Sequence, residues 1–551
     1  MIYVINSERE KKLIPEGSDF VLYSELKSKA CGDKKYYPKA VFQLIRELET
    51  KYNLDSYTQR GVPVWFFRRL SFHQDLFQFF ETLDVCRYLI EKHDKIYWKN
   101  PPPCLDDIIL LLKVQDRISY NEPEKQDPIK KIRILPYIFY SILSSIFTIF
   151  SALFAKLRGK KRLLYISSLI SFTVWNGNKF LEANDGLFNF LSKNGFQVIN
   201  YFEIGKRNFD ISSLKKLTNK IGISDFLFSP FYLWPGYHFN IDIEISEIRY
   251  DQFIIDEYIN KLLKKKVYID LIVPKIIIGL LNPCVIFERC GYGRRSMTFN
   301  LIAKKRNVST VDLQHGAINN INPHVYQDVD PNKKDNPLSS YVFVYGNHFR
   351  DMFCKYGRYS EKNALAVGSP YFKFKSDLKK NQKNVLELDD SFDKKVLVTT
   401  QILSRDYIIP IILSLAKENP KILFLIKTHP AEKNEVYENL FKNAPNILVL
   451  PKTYDIFDSL SLVDLHMTCG STCAYDAIYF GLKTILIPSV LDDYLVDLIK
   501  EGICELADSV DSINSKIKKD SKLSKNQIEN YYSSTDPYAT VLNFLHTNCK
   551  K

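Results

Sequence analysis

Two kinds of hydrophobic spacing divide the chain. From Lys39 to Lys95 apolar residues recur at intervals of three and four, which places them on one face of a helix. Residues 1–130 therefore read as a helical N-terminal extension. Inside it, Gly61-Val62-Pro63-Val64-Trp65 reads as a turn that opens an amphipathic helix carrying Arg68 and Arg69. The competing reading gives those two arginines an anion on the acceptor side. Residues 131–162 hold a different pattern. The stretch 135–155, LPYIFYSILSSIFTIFSALFA, has no charge, and about 20 apolar residues suffice to cross a bilayer. Lys130, Lys131 and Arg133 precede it, and Lys156, Arg158, Lys160, Lys161 and Arg162 follow it. Two basic flanks give no preferred orientation for a crossing. The leading reading is a helix or hairpin lying in the cytoplasmic leaflet with its flanks on anionic lipid; a true crossing and a buried core helix are the alternatives.

After Arg162 short apolar runs alternate with helical stretches. The runs are Leu163–Ser168, Gln197–Phe202, Val285–Glu288, Ser309–Leu313, Tyr341–Tyr345 and Ala364–Val367, with a helix over Asn184–Lys193. A polar, highly charged stretch, 373–394, then interrupts the pattern. A second set follows: Lys395–Thr399, Ile422–Lys427, Ile447–Leu450, Asp464–Met467 and Thr484–Ile487. Such alternation predicts βαβ units and parallel sheets. The expected fold is α/β, with two Rossmann-like doubly wound domains, 163–375 and 385–551, facing a cleft. No internal repeat and no Gly/Ser tract interrupts this plan.

Composition narrows the partners. The 551 residues are 46% apolar and 25% charged, an ordinary globular balance able to bury a core, and the formal net charge of +13 points to an anionic partner. No helix-turn-helix, zinc-finger or RNA-binding signature is present, which argues against nucleic acid. Ten cysteines lie without a CxxC pair, and Met1-Ile2-Tyr3-Val4-Ile5 lacks the plan of a signal peptide, so a reducing cytoplasm is expected.

The polar residues with chemical potential fall at predicted strand ends, where open parallel sheets bind ligands. His315 ends one strand, before Gly316, and could donate to a phosphate or move a proton. Lys427, Thr428 and His429 emerge from a buried strand that Pro430 stops, a placement suited to a nucleotide phosphate or ribose. Gly470, Ser471 and Thr472 open a helix whose start would seat a diphosphate. Glu288 ends a further strand and could act as general base; Arg289, Arg294 and Arg295 follow it and could hold an anionic acceptor or donor. Each has a purely structural alternative: a hydrogen-bonded histidine, an ordinary helix cap, a solvated basic turn. Gly346 and Gly368 mark turns read as hinge and cleft wall, and Asp185-Gly186 reads as a turn and cap. No DxD-type metal site stands out, and Asp492-Asp493 reads as surface charge, so neither a metal nor a cofactor is expected, with the leaving phosphate held by protein groups alone.

The order Gln314-His315-Gly316, then Val367-Gly368-Ser369-Pro370, then Lys427-Thr428-His429-Pro430, then Gly470-Ser471-Thr472 before a helix resembles bacterial capsule and lipopolysaccharide biosynthesis transferases. It is similar to the motifs of bacterial sialyltransferases and Kdo-type capsule transferases, and it resembles the teichoic-acid glycerophosphotransferases. The resemblance spans roughly residues 160–500. It implies a GT-B fold, with His429, Pro430, Ser471 and Thr472 at the donor nucleotide and with His315 and Glu288 near the acceptor and the reacting centre. The acidic element that supplies the base in some sialyltransferases has only a distant echo in Glu288-Arg289-Cys290-Gly291, and the donor class stays open.

The function expected is glycosyl transfer from a nucleotide-sugar donor to a surface polysaccharide or lipid-linked acceptor, by a protein attached peripherally to the cytoplasmic face of the inner membrane. The rivals are a CDP-polyol phosphotransferase, a nucleotide-sugar 2-epimerase-like isomerase and a non-catalytic capsule assembly protein.

Overall fold

The computed structural model describes the chain apart from residues 6–14, 16, 24–25, 27–29, 31–36, 55–57, 60–61, 121–134, 169–171, 176–178, 204–221, 225–238, 242–257, 260, 264–266, 317, 319–333, 380–387, 390, 402–404, 431, 489–494, 520–521 and 550–551. Lys130, Lys131, Arg133, Gly61 and the Asp492-Asp493 pair lie outside the described residues. The described chain forms two compact units. One comprises Met1–Ile129 with Asn240–Tyr268, the other Lys130–Phe239 with Ile269–Lys551.

The first unit is more than a helical extension. The helices α1 (Tyr37–Tyr52), α2 (Val64–Lys92) and α3 (Leu105–Leu112) are accompanied by strands β1 (Ile2–Ile5), β2 (Phe20–Leu22), β3 (Ile96–Trp98) and β4 (Ile118–Tyr120). These strands pair in parallel in the order β2-β1-β3-β4. Three or four residues are too few for alternation to show in sequence, which is why the helical pattern alone was legible. α2 starts directly after Pro63, as the turn reading expects. Its arginines are engaged internally and do not present themselves to a ligand. Arg69 pairs with the buried Glu49 at 2.6 Å, and Trp65 Nε1 donates to the same carboxylate at 2.7 Å. Arg68 donates to the Leu262 carbonyl at 2.5 Å and lies 3.6 Å from Asp75.

The second unit contains both expected sheets. It begins with α4 (Leu135–Leu157), followed by β5 (Lys161–Ser168), α5 (Asp185–Lys193), β6 (Phe196–Glu203), β7 (Gly222–Ser224), α6 (Ile272–Leu281), β8 (Val285–Glu288), α7 (Arg294–Lys305), β9 (Ser309–Leu313), β10 (Tyr341–Val344), α8 (Asn347–Tyr356) and β11 (Ala364–Ala366). The seven strands lie in the order β7-β6-β5-β8-β9-β10-β11, all parallel. Strand alternation sends Leu163 and Tyr165 into one core layer and Leu164 and Ile166 into the other. α4, α6 and α7 cover the second layer, through Ala152, Ile277 and Phe299.

α9 (Pro370–Lys379) lies where the charged linker was expected, and it leads to the second sheet: β12 (Lys394–Thr399), α10 (Arg405–Glu418), β13 (Ile422–Lys427), β14 (Ile447–Val449), α11 (Ile456–Leu460), β15 (Leu465–Thr468), α12 (Cys473–Tyr479), β16 (Thr484–Leu486), β17 (Cys504–Leu506) and α13 (Val510–Lys518). Its order is β14-β13-β12-β15-β16-β17, again all parallel. Each sheet thus winds outward in both directions from a central strand, so each has a switch point, β5/β8 in the first and β12/β15 in the second. Two such sheets in succession give this unit a doubly wound, Rossmann-like α/β architecture.

Two last helices cross back. α14 (Lys525–Tyr531) contacts α8 and α12, and α15 (Pro537–Asn548) inserts Tyr538, Val541 and Leu545 into the core of the first sheet beside Leu187 and Phe287. The second Rossmann half therefore does not keep all of 385–551. Cys284, next to β8, and Cys549, at the end of α15, are joined in a disulfide with their Cα atoms 5.3 Å apart. This differs from the expectation of reduced thiols. Sequence could not bring together two cysteines separated by 265 residues, because only the return of α15 does so.

Among the described residues no helix is long and apolar enough to span a membrane. Ser145, Thr148, Ala152 and Ala155 are buried, and α4 packs on β5, β6 and β7.

Candidate functional site

At the carboxyl edge of the first sheet, β8 and β9 run in register, so Glu288 stands beside Asp312. Glu288 is fully buried. Ser339 Oγ donates to its Oε1 at 2.6 Å, and its Oε2 has no hydrogen-bond partner among the described residues. Burial, reinforced by the Asp312 carboxylate, pushes the Glu288 carboxyl up to about 8. Near neutral pH it holds its proton, and as placed it does not reach solvent to serve as a general base. Gly291 packs over the same cluster. A Cβ there would lie 2.5 Å from Ser339 Oγ and 2.8 Å from Asp312 Oδ2, so only glycine lets the loop after β8 approach this closely.

The arginines after Glu288 take different places. Arg289 is half-buried next to His315, Arg294 is exposed at the start of α7, and Arg295 pairs with Asp270 at 2.6 Å, fastening α7 to the start of α6. Arg295 is thereby occupied within the protein. His315 sits one residue beyond Gln314, which is held on both sides: the Tyr345 N–H donates to its Oε1 at 2.8 Å, and its Nε2 donates to the Gly316 carbonyl at 2.9 Å. The His315 ring is accessible, with Tyr292 Oη 3.5 Å from Nε2. The surrounding protein and then Arg289 disfavour its charged form and bring its pKa down to about 4. It is a neutral imidazole at pH 7, able to accept a proton. Gly316 is not conformationally special: it has no positive φ, and among the described residues a Cβ there would meet nothing within 4 Å.

The second sheet presents its polar ends around its switch point. β12 ends in Thr399-Thr400, between β13 with Lys427-Thr428-His429 and β15 with Cys469-Gly470-Ser471-Thr472. Lys427 is half-buried, and burial together with Lys452 lowers its ammonium pKa. The His429 backbone is anchored from three directions. Its N–H donates to Glu432 Oε2 at 3.1 Å and to Thr400 Oγ1 at 3.3 Å, and Lys452 Nζ donates to its carbonyl at 2.8 Å. Pro430 is exposed just beyond. Gly470 has φ +77°, a conformation that favours glycine. Ser471 is buried and accepts from the Cys473 N–H at 3.3 Å, while Thr472 is exposed and makes no side-chain cap. Ser471 thus caps the helix start and Thr472 is left facing outward. α12 has only seven residues, so its dipole is short and Lys427 is the principal cation at this edge.

His466, in the same motif, is structural. It is fully buried, bonded to Thr399 and Thr484 hydroxyls at 2.9 Å each, and burial holds it neutral by lowering its pKa to about 3.

Three carboxylates escaped the motif reading. Asp476, on α12, is pushed up to about 7 by burial and then by Asp455. Burial works against the Asp455 carboxylate, but Lys375 outweighs it and keeps the pKa low; Lys375 Nζ lies 2.8 Å from Asp455 and 3.1 Å from Asp458, and Tyr371 Oη donates to Asp455 at 2.7 Å. Lys375 and Tyr371 belong to α9, so this cluster clamps the linker helix to the second sheet. An acid in a helix that follows a Gly-Ser turn was the available signal for Asp476. The two edges meet here. Tyr345, at the end of β10, feels both Asp476 and Arg289 and stacks on Tyr532 with ring centroids 5.5 Å apart.

No protein-family model matches the sequence, and no curated protein matches it. Solved structures show a distant similarity to part of the chain. UDP-GlcNAc 2-epimerase from Methanocaldococcus jannaschii shares 14% identity over 70% of this chain and 99% of its own, with a TM-score of 0.43. The Neisseria meningitidis UDP-GlcNAc 2-epimerase bound to UDP-GlcNAc shares 12% over 70% and 100%, also at 0.43. CalG4, the calicheamicin glycosyltransferase, shares 12% over 71% and 99%, at 0.43. At these identities and TM-scores the similarity carries no argument, and the architecture and chemistry rest on the residues described above.

Proposed function

We propose that the protein is a glycosyltransferase that moves a sugar from a nucleotide-activated donor to a surface polysaccharide or lipid-linked acceptor, in capsule or lipopolysaccharide biosynthesis at the cytoplasmic face of the membrane. The observation that carries this reading is the switch point of the second sheet, where Thr399-Thr400 is flanked by Lys427 and His429 on one side and by Gly470-Ser471-Thr472 on the other. In this reading Lys427 and His429 hold the donor diphosphate, Pro430 shapes the turn beside it, and the Gly470 backbone approaches it closely. Charge that develops on the leaving phosphate is met by these groups. Across the edge, neutral His315 takes the proton of the acceptor hydroxyl. Glu288 supports this edge as a buried, protonated acid, and Arg289 and Arg294 face the acceptor. Arg295 keeps α7 in place through Asp270.

The test is a thermal-shift screen against CMP, CDP, UDP, GDP and their sugar conjugates, together with CDP-glycerol and CDP-ribitol. A ligand bound only by the folded state raises the melting temperature. We expect a rise with one nucleotide sugar that is lost in both His429→Ala and Lys427→Ala. A response to the CDP-polyols alone would replace the glycosyl donor with a polyol phosphate, and no response to any nucleotide would refute the transferase.

A further inference from the structure

We infer that α4 and α6 together form one docking face for an anionic lipid bilayer, with α4 lying in the plane of the membrane surface. α4 buries Ser145, Thr148 and Ala152 against the first sheet and turns its other side outward. That side carries Phe139, Leu143, Phe147, Phe150, Phe154 and Leu157, which are 50–83% exposed and follow the helical repeat. α6 packs beside α4 on the same core layer. It buries Val273, Ile277 and Leu281 and exposes Ile272, Ile276 and Leu280. More than half of the large apolar side chains exposed among the described residues sit on these two helices. Apolar patches of this extent mark an interaction surface.

Charge selects the partner. Neither helix carries an acidic residue, whereas Lys156, Arg158 and Lys160 are exposed at the end of α4 and Lys275 on α6 lies among the exposed isoleucines. The Arg158 guanidinium lies 4.6 Å from the Phe154 ring centroid, so the ring can enter the acyl boundary while the cation stays at headgroup level. Apolar side chains with a cationic rim suit a surface of anionic headgroups over hydrocarbon. The inner side of α4 is committed to the sheet, so the helix can lie on the bilayer but cannot cross it.

The face also leads to the site. Asp270 Oδ1 accepts from the Ile272 and Val273 N–H groups at 3.0 and 3.2 Å, capping α6, and its Oδ2 holds Arg295. The end of the docking face is thereby joined to the start of α7, which carries Arg294 and follows the loop that holds Arg289. A lipid-linked acceptor would arrive at that rim; this last step rests on the transferase reading, while the docking itself does not.

The test is co-sedimentation of the full chain with mixed phosphatidylcholine–phosphatidylglycerol vesicles and with pure phosphatidylcholine vesicles. Wild type should bind the mixed vesicles, less well as salt rises. Phe147→Glu/Phe150→Glu on α4, and separately Ile276→Glu on α6, should each weaken binding by roughly tenfold or more, with an unchanged melting temperature. Lys156→Glu/Arg158→Glu/Lys160→Glu should abolish the preference for anionic vesicles. His429→Ala should bind vesicles as wild type does, which separates a failure of the donor site from a failure of the docking face. Wild-type indifference to vesicles would overturn the inference. So would a dimer, seen by light scattering, that Phe147→Glu/Phe150→Glu converts to monomer, because a second copy would then be the occupant.

Discussion

Two residues at the edge of the first sheet carry opposite protonation logic. His315 has its pKa lowered to about 4, so it is uncharged throughout the physiological range and becomes charged only on acidification. If it accepts the acceptor proton, kcat/KM should be flat near neutrality and fall as pH drops through about 4. His315→Gln should lower turnover by roughly 10²–10⁴-fold while nucleotide-induced thermal shifts persist. Glu288 has a folded pKa of about 8, above its unfolded value, so the folded state binds the extra proton. Stability from this group is complete below the unfolded carboxylate range and declines as pH rises toward about 8. Glu288→Gln keeps the Ser339 contact without the ionisation. It should flatten the dependence of melting temperature on pH between about 5 and 8; an unchanged slope would show that Glu288 is ionised in the fold. The sequence placed both residues at strand ends. It could not tell which was sealed by Asp312, Ser339 and Gly291 and which stayed accessible, because those neighbours come from other strands and loops.

Among the elements, the helix that returns from the second half to the first explains two glycines. A Cβ at Gly346 would stand 2.3–2.4 Å from the Asn530 and Tyr531 backbone at the end of α14. Gly368, with φ +86°, lies against the Thr535 carbonyl and Pro537. Both were read as hinge or cleft wall, and in the structure both abut the returning chain. Backbone cannot rotate away as a side chain can. Gly346→Ala should therefore destabilise by about 2 kcal/mol or more in a denaturant melt. Gly316→Ala, whose Cβ meets nothing among the described residues, should stay within about 0.5 kcal/mol. Equal effects at the two positions would contradict this account. The same elements hold an aromatic cluster, in which His348 stacks on Tyr531 at 4.2 Å and pairs with Glu501 at 3.4 Å, linking α8 to the second half.

For the whole molecule, the closing helix decides what can fold alone. α15 contributes Tyr538, Val541, Leu545 and Cys549 to the core of the first sheet. A chain ending at residue 536 loses those side chains, and each large buried apolar group removed costs about 2–5 kcal/mol. We expect that chain to be insoluble or to melt far below wild type, with the first Rossmann half affected most in hydrogen exchange. Retention of the wild-type melting temperature would mean that α15 is an accessory. The two sheets belong to one compact unit for the same reason: α9 leaves the first half and α14–α15 come back to it.

Strand-forming runs and the motifs at their ends depend on residues close in sequence, and these were legible directly. Leu163–Ser168, Val285–Glu288 and Ile422–Lys427 all lie where their apolar runs predict, because a strand buried on both faces is apolar over most of its length, with polar residues at its end. The uncharged stretch at 135–155 was legible as unusual for the same local reason. Tertiary structure alone decided the rest. It made α4 a helix with one side on a sheet, paired it with α6 from more than a hundred residues away, inserted α15 into a distant core, and separated the buried Glu288 from the accessible His315. Those outcomes depend on contacts between residues far apart in the chain, and the pattern of any one segment does not contain them.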